Sequence, residues 1–272
     1  MRRTLAVIGV GNMAKAIMGG IVSLPTEISE IVMYDRNPQQ YADIPTDSRV
    51  SLRCAPDICA AISSADCVLL SVKPQNYDDV LTEITKSEGY SDKLYISIGA
   101  GITSESVSER LNHARVVRVL PNLPMVIGQG VSVICENQAV LAEDFSFVCN
   151  IFKSAGSVLI IHESEMNRII GVTSSSPAYV FQFINAIYQG ALAQGLSDKD
   201  LLSAICDVVI GSAQLLKQSA DSPEAWISRV ASKGGTTEQA LAVLRDCRFD
   251  EAMCQAMTAC TRRADELGSA KR

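Results

Sequence analysis

Three short stretches carry residue types and spacings that can do chemistry: Gly9-Val-Gly-Asn-Met13 followed by Ala14, Val172-Thr-Ser-Ser-Ser-Pro-Ala-Tyr179, and Ala231-Ser-Lys-Gly-Gly-Thr-Thr237. The first is a G-x-G-x-x-A turn between an apolar run, Thr4 to Val10, and a helical one, Met13 to Val22. In that context Gly9 permits a tight turn, Gly11 lets backbone approach a pyrophosphate, and Ala14 allows close helix packing. The backbone of Val10, Asn12 and Met13 then faces the anion at the helix start. In the third stretch a Gly-Gly turn runs into a helix that continues through Ala240, Leu241 and Leu244. Amides there can bind a carboxylate, and a threonine hydroxyl can donate to a reacting nitrogen or oxygen. Read alone, it is more often an ordinary helix start than a catalytic site. Together the stretches predict a two-part active site in a dinucleotide-dependent oxidoreductase.

The elements that must position these residues follow from periodicity. Strand candidates are Thr4 to Val10, Ile31 to Asp35, Val50 to Cys54, Cys67 to Val72, Leu94 to Gly99, Val116 to Leu120, Val131 to Cys135 and Val158 to Ile161. Helical patterns at Met13 to Val22, Pro56 to Ser63, Tyr77 to Ile84, Ser104 to Leu111 and Glu143 to Lys153 alternate with them. Such alternation predicts an α/β Rossmann domain, a doubly wound and mostly parallel sheet joined by crossover helices, over residues 1–162. The second strand ends in Asp35 and Arg36, and the signals conflict: an acid there receives the ribose hydroxyls of NAD, whereas Arg suits the extra phosphate of NADP. NADP is the cofactor expected, with NAD as the alternative. Val72, Lys73 and Pro74 after the fourth strand, and Ala100 after the fifth, are expected beside it, although Lys73 alone reads equally as a solvated turn residue.

Beyond His162 the strand signals stop. Ile169 to Ser197 contains no charged residue, long enough at about 20 residues to span a bilayer, yet Thr173 to Ser176, Gln182, Asn185, Gln189 and Gln194 argue for a helix buried in protein. A second helix, Lys199 to Ser219, is also apolar over most of its circumference. An all-α domain over residues 163–272 that dimerises by intertwining is expected.

Composition narrows the partners. With 24 basic and 30 acidic residues, net charge −6, the chain has no broad basic footprint for nucleic acid or an anionic membrane, so a small ligand is expected. The nine cysteines show no C-x-x-C pair, which predicts core thiols in a reducing, cytoplasmic compartment and no metal site. The opening Leu-Ala-Val-Ile run is broken too early by Gly9, Gly11, Asn12 and Lys15 for a signal peptide. His113 and His162 lack partner patterns and are expected at the surface.

Across almost the whole chain these motifs resemble the pyrroline-5-carboxylate reductase family: Ile8-Gly-Val-Gly-Asn-Met13, Ser71-Val-Lys-Pro74, Ser97-Ile-Gly-Ala-Gly-Ile-Thr103, Arg118-Val-Leu-Pro-Asn-Leu-Pro124, Ser175-Ser-Pro-Ala-Tyr-Val-Phe181 and Ser232-Lys-Gly-Gly-Thr-Thr237. The resemblance implies reduction of a cyclic imino acid to proline, a homodimer or larger assembly, and a catalytic threonine at Thr237. It puts the substrate loop at Ser232, Gly234, Gly235 and Thr236, with Ser175 near the pocket. The chain departs from the family pattern at Ser174 (usually glycine), Leu123 (threonine), Lys233 (proline) and Ser222 to Ser228, where His-Pro-Gly-x-Leu-Lys-Asp is usual. Two other readings are a 3-hydroxyacid dehydrogenase, whose proton-donating lysine is missing between Ala178 and Ser197, and a non-catalytic nucleotide-binding paralogue.

Overall fold

The computed structural model describes residues 2–23, 27–44, 46, 47 and 49–269, so the expected domain limits at 1 and 272 lie outside the described residues. Strands β1 (Arg3–Ile8), β2 (Ile28–Tyr34), β3 (Ser51–Cys54), β4 (Cys67–Leu70), β5 (Leu94–Ser97), β6 (Arg115–Leu120), β7 (Gly130–Glu136) and β8 (Gly156–Ile160) form one sheet. Its order is β3-β2-β1-β4-β5-β6-β7-β8. Every pairing is parallel except β6 with β7. Only the 3-10 turn Leu123–Ile127 joins those two strands, and a parallel return needs a longer crossover. Here the structure departs from an arrangement of crossovers alone.

Helices α1 (Asn12–Ser23), α2 (Ile58–Ser63), α3 (Tyr77–Ile84), α4 (Ser104–Arg110) and α5 (Ala142–Lys153) cover the sheet. Alternation along β1 sends Leu5 and Val7 to one face, where they meet Ile17 and Ile21 of α1 and Phe147 and Phe152 of α5. Ala6 and Ile8 face the other side, with Ile62 of α2, Leu81 of α3 and Val107 of α4. Burial on both faces explains why β4 and β5 are apolar or fully buried throughout instead of alternating with solvent. Asp57 and Thr103 cap α2 and α4 by accepting from the amides of Ala60 and Ser106. At the amino edge, buried Asp144 takes the guanidiniums of both Arg3 and Arg115, which ties β1 and β6 to α5.

The remaining helices are α6 (Met166–Ile169), α7 (Ser176–Ala193), α8 (Leu201–Gln218), α9 (Pro223–Val230), α10 (Thr236–Asp246) and α11 (Phe249–Ser269). One compact unit runs up to Ser175 and takes in the chain again from Thr258; the other is Ser176–Met257. The division therefore falls later than His162. The reason is a third cluster in which Met166, Ile170 and Ala264 are buried against Leu120, Val133 and Cys135 of β6 and β7. In the helical unit no residue of α7 is buried, and in α8 only Ile205 is. Among the described residues α8 alone is long and apolar enough to cross a membrane by length and composition.

Candidate active site

The glycine turn is shaped by steric necessity. Gly9 has φ +90°, and a Cβ there would lie 2.9 Å from both the Ser71 carbonyl oxygen and Val72 Cγ1. Around Gly11 the space is open, with no atom beyond its own stretch of chain within 4 Å of the position a Cβ would take. The Lys15 amide donates to the Gly11 carbonyl at 3.0 Å and begins α1. This is the cradle that close approach of a pyrophosphate requires, at a helix N-terminus that favours negative charge.

The neighbouring loop is held in place from within. The Gly9 amide donates to the Tyr34 carbonyl at 2.8 Å. The Val10 amide donates to Asp35 Oδ2 at 2.8 Å, and the Asn37 amide to Asp35 Oδ1 at 2.8 Å. Tyr41 Oη accepts from the Asp35 amide at 2.8 Å and donates to its carbonyl at 3.2 Å. Burial pushes the Tyr41 phenol up, so it remains a donor. Both carboxylate oxygens of Asp35 are thus engaged by backbone, which gives this residue a bracing part that its position in the sequence does not disclose. Arg36 is exposed beside it.

A cavity of about 610 Å³ opens at the carboxyl ends of β1, β2 and β4, where the strand order reverses. It brings together Gly9, Gly11, Asp35, Arg36, Val72 and Lys73 from the expected set. Val10, Asn12, Met13, Pro74 and Ala100 do not line it. Val10 is buried with its amide on Asp35, Asn12 and Met13 belong to the start of α1, Pro74 opens a 3-10 turn, and Ala100 packs toward the third cluster. The lining also includes Tyr34, Asn37, Gln40, Gln75 and Asn76. Asn37 and Gln40 follow Arg36 within four residues, the signal that was available in the sequence.

In the helical unit, Gly235 is the N-cap of α10, so Thr236 and Thr237 are its first two helical residues. The cap lacks a side-chain hydrogen bond; instead Glu238 reaches back and accepts the Gly234 amide at 2.8 Å. Gly234 adopts φ +73°, and the Gly235 amide donates to the Ser232 carbonyl at 2.9 Å. Gly234 and Gly235 therefore shape the turn with their amides already committed. Among the described residues the Thr236 and Thr237 amides have no acceptor, and the half-buried Thr237 hydroxyl serves no cap.

Ser175 lies in the sheet unit, its Oγ 3.1 Å from Cys260 Sγ. Buried Asn122 accepts the Val131 amide at 2.8 Å and donates to the Thr173 carbonyl at 3.1 Å, bracing the turn on which Leu123 stands exposed. Lys233 is exposed, and Trp226 lies under the Arg229 guanidinium at 4.5 Å. Nothing in the structure explains serine at 174, whose buried Oγ has no hydrogen-bond partner among the described residues. His113 and His162 are both exposed. Among the described residues no group of three or more His, Cys, Asp or Glu could hold a metal ion.

One buried polar network was not visible in the sequence. Arg118, 1% exposed, pairs with Glu163 and donates to Asn167 Oδ1 at 2.7 Å. Ser104 Oγ and Cys135 Sγ donate to the other Glu163 oxygen at 2.7 and 3.1 Å. Burial would raise the Glu163 carboxyl, but Arg118 and these donors outweigh it and hold it below the usual range.

A doubly wound sheet with a glycine cradle at its switch point, together with a helical unit bearing a threonine-led helix start, defines a nucleotide-dependent oxidoreductase of Rossmann type. Residues 163–267 match the family model for pyrroline-5-carboxylate reductase dimerisation, and residues 4–101 match one described as NADP oxidoreductase coenzyme F420-dependent. The pyrroline-5-carboxylate reductase of Escherichia coli K12 is 33% identical over 269 residues, covering 98% of this chain and 99% of that one. A crystal structure of the Streptococcus pyogenes enzyme superposes with TM-score 0.88 at 26% identity over 97% of this chain and 98% of that one. The Plasmodium falciparum pyrroline carboxylate reductase, solved with NADP bound, gives TM-score 0.86 at 25% identity over 98% of each chain. The chain belongs to the pyrroline-5-carboxylate reductase family.

Proposed function

We propose that this protein reduces 1-pyrroline-5-carboxylate to proline with hydride from NADPH, the last step of proline formation. The observation that carries this reading is the near full-length likeness to reductases of that name, joined to an open cradle at Gly11 that a dinucleotide pyrophosphate fits. The Gly9–Gly11 turn and the start of α1 would hold the pyrophosphate. Arg36, Asn37, Gln40 and Lys73 offer cationic and amide donors for a 2′-phosphate, while both oxygens of Asp35 are occupied by backbone amides. That balance favours NADP over NAD.

When bound, NADPH would be the source of the hydride that reduces the imine carbon. As electron density reaches the nitrogen, Thr237 Oγ1 donates a hydrogen bond to it and holds the ring in orientation. The amides of Thr236 and Thr237, with the Ser232 hydroxyl, take the substrate carboxylate at the positive end of α10. Threonine is far too weak an acid to deliver a proton at neutral pH, so the imine brings its own from water. A hydroxyacid dehydrogenase reading lacks its proton donor, because α7 contains no lysine.

A second copy of the chain covers the apolar helices of the second unit. Phe181, Val208 and Val230 are 56%, 68% and 66% exposed, far more apolar surface than a helical bundle leaves to water. The nine free cysteines, four of them exposed or half-buried in that unit or beside it, suit a reducing cytoplasm. Purified protein given the cyclic imine and NADPH should oxidise the nucleotide and form proline in equal amounts. Folded protein that binds NADPH yet oxidises none at any imine concentration would overturn the assignment.

A further inference from the structure

The loop after β5 is gripped on two sides by contacts that only glycine allows. On one side Gly99 lies on Tyr77, where a Cβ would come within 2.7 Å of the ring carbon Cζ. Tyr77 is fully buried, donates to the Leu70 carbonyl at 3.0 Å and meets Ser97 Oγ at 3.1 Å. The same Leu70 carbonyl accepts the Ile98 amide at 3.2 Å. Tyr77 directly follows the 3-10 turn Pro74–Asn76, whose Gln75 and Asn76, with Lys73, form a wall of the dinucleotide cavity.

On the other side Gly101, at φ +79°, meets the last turns of α11. A Cβ on Gly101 would lie 2.4 Å from the Ala264 carbonyl oxygen, and a Cβ on Gly268 would lie 2.4 Å from the Gly101 carbonyl oxygen. Neither partner is the end of a flexible side chain, so neither contact relaxes cheaply. Asp265 fixes this end of the helix laterally: it accepts from Asn167 Nδ2 at 2.8 Å, and Asn167 in turn accepts from Arg118. Through Glu163 the same network reaches Ser104 at the start of α4, immediately after the loop.

We propose that the last turns of α11, through Gly268 and Asp265, are a positioning element for the dinucleotide site, setting the place of the Gly99–Gly101 loop and, through Tyr77, of the Lys73–Asn76 wall. The inference rests on the reading of that cavity as the NADP site. Backbone-to-backbone contact transmits a displacement that side chains would absorb, because close-packed interiors are stiff. Asp265 and Gly268 do not line the cavity and act through the loop.

The test is NADPH binding to the full chain, followed by nucleotide fluorescence, beside thermal melting without nucleotide. Gly268→Ala is informative because alanine favours the helix that glycine weakens, so helix loss cannot explain a defect. Its NADPH affinity should fall about tenfold, the scale on which small misplacements act. Asp265→Ala, at an exposed position, should fall about threefold and be restored by Asp265→Asn, which keeps the acceptor oxygen. Glu266→Ala in the same turn, whose partners Arg262 and Arg263 are surface groups, should bind as wild type. NADPH affinity unchanged in both Gly268→Ala and Asp265→Ala, even with lowered melting temperatures, would overturn the inference. Wild-type protein that binds no NADPH would overturn the reading of the cavity and this inference with it.

Discussion

In the sheet unit Leu5, Val7, Leu69 and Ile96 are at most 1% exposed, whereas in the helical unit Phe181 and Val208 are 56% and 68% exposed. Both units are apolar in sequence, but they satisfy that apolarity in different ways. The sheet has helices on both faces and encloses its own core, so it can hold a cradle with tolerances of tenths of an ångström. The helices leave these side chains exposed, and we propose that a second copy of the chain covers them. One unit is therefore built to be rigid alone, the other to be completed by association.

Breaking the second half of that comparison should have the largest effect. Phe181→Asp combined with Val208→Asp should abolish dimer formation and melt much of the helical signal, read by sedimentation and circular dichroism. A dimer that survives both charges would show that these faces are not the ones covered. The first half is tested inside the sheet unit, where Gly9→Ala forces a side chain against Ser71 and Val72 in a backbone conformation that costs about 1–3 kcal/mol. NADPH binding should weaken about ten- to a hundredfold while the dimer persists, measured by nucleotide titration and sedimentation of the same sample.

A smaller effect sharpens the account of the sheet unit's buried ion pair. The folded Glu163 carboxyl is held below its ordinary value of 4.5, so its contribution is complete above that value and lost as pH falls through the folded one. Glu163→Gln should melt lower than wild type by on the order of a few degrees near neutral pH. The gap should close as the buffer is made more acid, and a gap independent of pH would mean that the charge on Glu163 does not matter.

The sheet unit was the more legible of the two. All eight strands stand near the runs that marked them, most plainly β4 and β5, where burial of every residue leaves a short and nearly continuous apolar stretch. The antiparallel β6–β7 pair escaped because a 3-10 turn leaves no periodic trace. Burial of Met166 and Ala264 by strands far away in sequence draws both into the sheet unit, and no local pattern records such a contact. Gly9, Gly11 and Arg36, which line the cavity, are singled out by spacing alone. Asp35's bracing part was not, since a carboxylate at a strand end looks the same whether it faces ribose or a backbone amide. In the helical unit, spacing drew attention to Ser232–Thr237, but only coordinates separate glycines that spend their amides on the turn from threonines that keep theirs.

We propose that Thr237 faces the reacting nitrogen. The most direct test is steady-state turnover of Thr237→Ala with the cyclic imine and NADPH, alongside nucleotide affinity and helix content. Gly235 is the cap of α10 and Glu238 secures it, so removing the Thr237 hydroxyl should leave the helix, the dimer and NADPH binding intact. Losing one transition-state donor should lower turnover about ten- to a thousandfold. Wild-type turnover in Thr237→Ala, or a loss traced wholly to unfolding of α10, would contradict the account.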